Sequence, residues 1–95
     1  MTLQEFKTSL EEQQPPPVAV LLQALWYEAK GDWEKAHNLA QDVHTPDGSW
    51  IHAYLHRVEG DISNAQYWYH KANRKMPKVS LKEEWEDIAN ELLLK

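Results

Sequence analysis

The chain has 95 residues, 42% of them hydrophobic and 26% charged, which gives one domain with a single core and leaves no length for a second. Cysteine is absent, so disulfides, thiolate metal ligands and thiol nucleophiles are excluded. The net charge of -5, spread without a block of like charge, argues against a general binder of nucleic acid or of an anionic membrane.

Met1 to Pro17 lacks the basic start and apolar stretch of a secretory leader, and no apolar run approaches bilayer length, so a cytoplasmic protein is the expectation. Two-residue alternation is nowhere sustained, whereas apolar residues recur at spacings of three and four, which predicts helices and no strands. The first helix opens on Thr2-Leu3-Gln4-Glu5, where hydroxyl and carboxylate can each satisfy a free backbone donor. Leu3, Phe6 and Leu10 are its buried stripe, and Pro15-Pro16-Pro17 ends it. A strongly apolar helix from Val18 to Lys30 follows and stops at Gly31. Asp32 caps a helix from Trp33 to Val43. Residues 44–48 read as loop, with Asp47 or Ser49 capping a helix that runs to Glu59. Gly60-Asp61 repeats the earlier junction, and the fifth helix extends from Ile62 to Lys75, stopped by Pro77. Ser80-Leu81-Lys82-Glu83 opens the sixth, whose stripe is Leu81, Trp85, Ile88 and Leu92. The acidic run from Glu83 to Asp87 complements the helix dipole and reads as solvated.

The two Gly-Asp junctions lie 29 residues apart, and the same offset superposes Leu22 on Ile51, Ala24 on Ala53, Ala29 on Val58, Trp33 on Ile62 and Ala36 on Ala65. Small residues recur where helices approach closely, and glycine recurs where the chain turns left-handed. The residues around Ala24, Tyr27, Gly31-Asp32-Trp33 and Ala36, and again around Ala53, Gly60-Asp61, Ala65, Tyr69, Ala72 and Pro77, resemble tetratricopeptide and Sel1-like repeats. Residues 64–72 resemble in particular the second helix of a Sel1-like unit. The period is shorter than the usual tetratricopeptide spacing and Ala40 stands where that family prefers an aromatic, which points to a compact stand-alone domain. The resemblance implies an all-α fold of two stacked antiparallel hairpins, residues 18–44 and 47–77. An N-terminal helix with its proline linker, 1–17, and a C-terminal capping helix, 80–95, flank them.

In such repeats the first helix of each hairpin lines a concave surface. That implies Leu21, Leu25 and Glu28 from the first unit and Trp50, Tyr54 and Arg57 from the second as ligand-facing positions. Stacking area beside a forked donor suits a protein or peptide segment, with Arg57 taking an acid opposite Glu28. Core packing of Trp50 and Tyr54, or occupation of the groove by the chain's own Leu3–Leu10 helix, is the competing expectation. Trp26, Trp33, Trp68 and Trp85 read as core. The run Tyr67-Trp68-Tyr69-His70 cannot face inward all at once, and Tyr67 is the expected exposed member, a surface for a partner or a homodimer. Arg57, Lys71, Arg74 and Lys75 leave one local basic patch conceivable, but neither nucleic acid nor membrane is the expected partner.

His52 and His56 stand four apart on one helix, where two imidazoles project from one face and can share a metal ion. Ala53 replaces the glutamate that a zinc-protease signature requires. Ser49 and Glu59 lie near the same face, and His70 and Asp47 reach it only through the fold. No nucleophile-base arrangement or phosphate-cradling glycine loop is present, so a non-enzymatic interaction module without a cofactor is the first expectation. A small-ligand or metal binder centred on His52 and His56 is the second.

Overall fold

A computed structural model describes all 95 residues as six α-helices: α1 Leu3–Thr8, α2 Val20–Ala29, α3 Trp33–Gln41, α4 Pro46–Val58, α5 Ile62–Lys71 and α6 Leu81–Leu93. One turn of 3-10 helix, Ser9–Glu11, extends α1, and there are no strands. The local signals in the sequence become bonds. Thr2 and Glu5 form the reciprocal capping box, with Thr2 N–H donating to Glu5 at 2.8 Å and Glu5 N–H to Thr2 Oγ1 at 3.1 Å. Asp32 caps α3, Asp61 caps α5 and Ser80 caps α6.

The 29-residue repeat of the sequence recurs in the backbone. Gly31 and Gly60 have φ of 90° and 86°, and the next amide in each case reaches back to close the helix end, Asp32 N–H to Tyr27 O and Asp61 N–H to His56 O, both at 2.9 Å. Ala24, Ala53, Ala36 and Ala65 are all fully buried, which lets α2 pack closely on α3, α4 on α5 and α3 on α4. A further contact joins α2 to α4, and α6 lies against α1, α2 and α4. Phe6 of α1 stacks on Trp85 of α6 at 5.6 Å between ring centres, closing the core at that end.

Helix α2 is trimmed at both ends relative to the sequence reading and α3 stops at Gln41, short of Val43; three other helix ends differ for local reasons. Helix α4 starts at Pro46, capped by Thr45, whose hydroxyl accepts from Gly48 N–H at 3.0 Å; Asp47 and Ser49 are inside the helix. Proline at the first helical position loses no bond and arrives with helical φ, so Thr-Pro starts the helix earlier than the loop reading allows. Gly48 is required there because a Cβ would sit 2.1 Å from the Val43 carbonyl oxygen. Helix α5 ends at Lys71, well before Pro77, because Asn73 takes the left-handed conformation (φ 60°) and Arg74 N–H closes on Tyr69 O at 2.9 Å. Asparagine here does what glycine does at the two earlier junctions. Helix α1 likewise ends short of the prolines, tightening into the 3-10 turn.

Open space surrounds the missing Cβ of Gly60, so its substitution acts through backbone strain alone. Gly60→Ala is expected to cost about 1–2 kcal/mol in urea unfolding, whereas Asn73→Gly is expected to leave stability within a few tenths of wild type. Equal losses in the two variants would contradict this assignment of the turns.

Candidate metal centre

The surface assigned from the sequence to a ligand groove is occupied by α6. Leu25, Trp50 and Tyr54 are buried, and Arg57 is largely so. Trp85 of α6 donates its indole N–H to the Leu25 carbonyl at 3.0 Å. The occupant is therefore the C-terminal helix, not the Leu3–Leu10 helix. Its docking centres on Glu84, which is 2% exposed although the acidic run around it reads as solvated. The Glu84 carboxylate accepts from Arg57 at 2.8 Å, from the Tyr69 hydroxyl at 2.7 and 2.6 Å and from the Trp50 indole at 3.3 Å. Arg57 also donates to the Val79 carbonyl, holding down the segment that leads into α6. Burial and the Glu84 carboxylate together push the Tyr69 phenol far above its ordinary pKa. Glu28 faces the Tyr54 hydroxyl, and burial raises its carboxyl above the ordinary value. Two of the basic residues have partners inside the chain: Arg74 pairs with Glu91 at 2.6 Å and lies 3.4 Å over the Trp50 ring, and Arg57 is committed to Glu84.

A different cluster forms where α3 crosses α4. His52 and His56 project from one face of α4, as their spacing dictates, and their rings stack at 4.8 Å. His37 of α3 meets them: its Nε2 lies 3.0 Å from His52 Nε2, and its ring is 5.6 Å from that of His56. One ring nitrogen from each of the three lies within 4.8 Å of the others. Buried Ala36, Ala40 and Ala53 make this approach possible by bringing the two helix backbones together.

Two tryptophans form the walls. Trp33, one turn before His37, stacks on it at 4.9 Å and is anchored by its indole N–H to the Leu55 carbonyl at 2.7 Å. Trp68 of α5 stacks on His52 at 3.9 Å. Both are only partly buried, unlike the core residues Trp26 and Trp85, so their place is this site and not the core interior. Glu59 completes the outer layer, its carboxylate accepting from His56 Nδ1 at 2.7 Å. A carboxylate cannot donate, so His56 carries a proton on Nδ1, and the neutral form of the ring has its lone pair on Nε2. Desolvation, followed by the neighbouring imidazoles His37 and His56, lowers the His52 pKa to about 4; desolvation lowers that of His37 also.

Of the residues the sequence offers near the histidine pair, Glu59 joins the cluster and Ser49 lies one turn away on α4. Asp47 instead binds Lys95 at 2.7 Å, and His70 is exposed on α5. The third histidine, His37, escapes a search for ligand pairs because its partners are on the next helix. Its signal is its place beside the Ala36 and Ala40 stripe, which turns it toward whatever packs there. No protein-family model, curated protein or solved structure matches this chain.

Removing Arg57 leaves Glu84 as an unpaired buried charge, so Arg57→Ala is expected to cost about 3–5 kcal/mol. Tyr69→Phe, which removes one bond to a charged acceptor, is expected to cost about 1.5–3 kcal/mol. Urea unfolding of both measures this, and a loss below about 1 kcal/mol for Arg57→Ala would contradict the coupling of α6 to α4.

Proposed function

We propose that this chain binds a divalent transition-metal ion through His37, His52 and His56. The observation that carries the reading is the convergence of three imidazole nitrogens from two helices within 4.8 Å. In a tetrahedral site with metal–nitrogen bonds of about 2.0–2.1 Å, ligand nitrogens stand about 3.3 Å apart. The His37–His52 separation of 3.0 Å is already near that value, and metal binding draws the His56 ring in from within 4.8 Å of the pair. A set of three nitrogens without sulfur or carboxylate suits zinc, cobalt, nickel or copper and discriminates against magnesium and calcium. The hydrogen bond from His56 to Glu59 is the outer-layer contact that orients a ligating histidine.

The chain is expected to bind one zinc ion per molecule in calorimetry, and zinc at one hundred times its Kd is expected to raise unfolding free energy by about 2.7 kcal/mol. That corresponds to roughly 10–20 °C in Tm for a domain of this size. His37→Gln, at a half-buried position, is expected to keep the helical spectrum and abolish both effects. Absence of heat and of a Tm shift at sub-millimolar zinc removes the reading.

A second reading, favoured by the 57% exposure of Tyr67 on α5, keeps the resemblance to tetratricopeptide and Sel1-like repeats and makes α5 a contact face for another copy of the chain. Light scattering decides it: a mass that rises with concentration in wild type and not in Tyr67→Ala supports it, and a constant monomer mass removes it.

A further inference from the structure

We infer that the metal's fourth coordination position is taken by a small oxyanion, seated in the cavity beside His52 between the end of α3 and the start of α4. This rests on the metal reading above. The protein supplies three nitrogens and no fourth donor within reach of them all: Glu59 is held behind the His56 ring, and Asp61 caps α5. A site of three protein ligands keeps its remaining position for a molecule from solution.

The cavity of about 230 Å³ next to the cluster determines what that molecule is. His52 is part of its wall, together with Ser49 one turn back on α4, Trp68 and Lys71 of α5, and the Gly48 backbone in the first turn of α4. No aspartate or glutamate lines it. Lys71 forms no ion pair within the chain, and its ammonium lies 5.0 Å from the centre of the same Trp68 ring that stacks on His52. Ser49 is about nine-tenths buried and its hydroxyl has no hydrogen-bond partner inside the chain, so its accessible part opens on the cavity. Three neutral imidazoles leave both charges of a divalent ion uncompensated. An ammonium and a free hydroxyl on the same wall add donors and positive potential. An anion with several acceptor oxygens finds donors there at Lys71 and Ser49.

The test is the visible absorption of the cobalt-loaded full chain, titrated with inorganic phosphate. Cobalt accepts the same nitrogen ligands, and its spectrum reports a change of coordination. The expected result is a saturable shift at millimolar phosphate. Lys71→Gln, a change at an exposed residue, is expected to weaken phosphate about tenfold or more while cobalt affinity stays at the wild-type value. Cobalt uptake with a spectrum that phosphate leaves unmoved, or a phosphate response identical in Lys71→Gln, overturns the oxyanion site and leaves the metal reading standing. Failure to take up cobalt overturns both.

Discussion

The buried carboxylate of Glu84 organises this molecule. An ionised carboxylate taken out of water costs several kcal/mol unless its oxygens are fully partnered, and the partners come from three positions on two helices: Trp50 and Arg57 on α4, and Tyr69 on α5. None of them can serve Glu84 unless α6 lies along α2 and α4. The polar cluster therefore adds directional bonds to the docking of a helix that also buries Trp85, Ile88 and Ala89. The consequence for function is direct. With α6 seated, the aromatic and arginine surface of α4 belongs to the interior, and the histidine cluster where α3 meets α4 borders a cavity at His52.

The tryptophans carry the same logic through the structure. Trp26 donates to Ser9, Trp33 to the Leu55 carbonyl, Trp50 to Glu84 and Trp85 to the Leu25 carbonyl. Each bond crosses from one helical segment to another, so each indole adds a directional tie to its apolar burial. Trp68 is the exception. It makes no such tie and lies flat on His52, with Lys71 over its outer face. Together with Trp33 it shields His37 and His52 from bulk water, and that desolvation disfavours their charged forms.

The parts of the fold legible in the sequence are those fixed by neighbouring residues. Capping by Thr2, Asp32, Asp61 and Ser80, and the left-handed glycines at 31 and 60, depend on bonds spanning a few positions, so their signals survive without tertiary knowledge. Asn73 was less legible because asparagine ends helices less often than glycine, and Pro77 offered a competing stop. Glu84 was illegible for a different reason: a carboxylate in an acidic run looks solvated until the three donors that bury it are found, and these are 15 to 34 residues away. The candidate site divides in the same way. His52 and His56 share a helix face by spacing alone, whereas His37 enters through the α3–α4 packing, which sequence periodicity orients but does not register.

X-ray absorption at the metal edge of the zinc-loaded chain tests the central claim most directly. A site made by His37, His52 and His56 gives a first shell of four light atoms at about 2.0–2.1 Å with the outer-shell scattering of three imidazoles. That pattern would drop to two imidazoles, or be lost with the metal, in His37→Gln. A shell of oxygens without imidazole scattering, or a spectrum unchanged by His37→Gln, would contradict it.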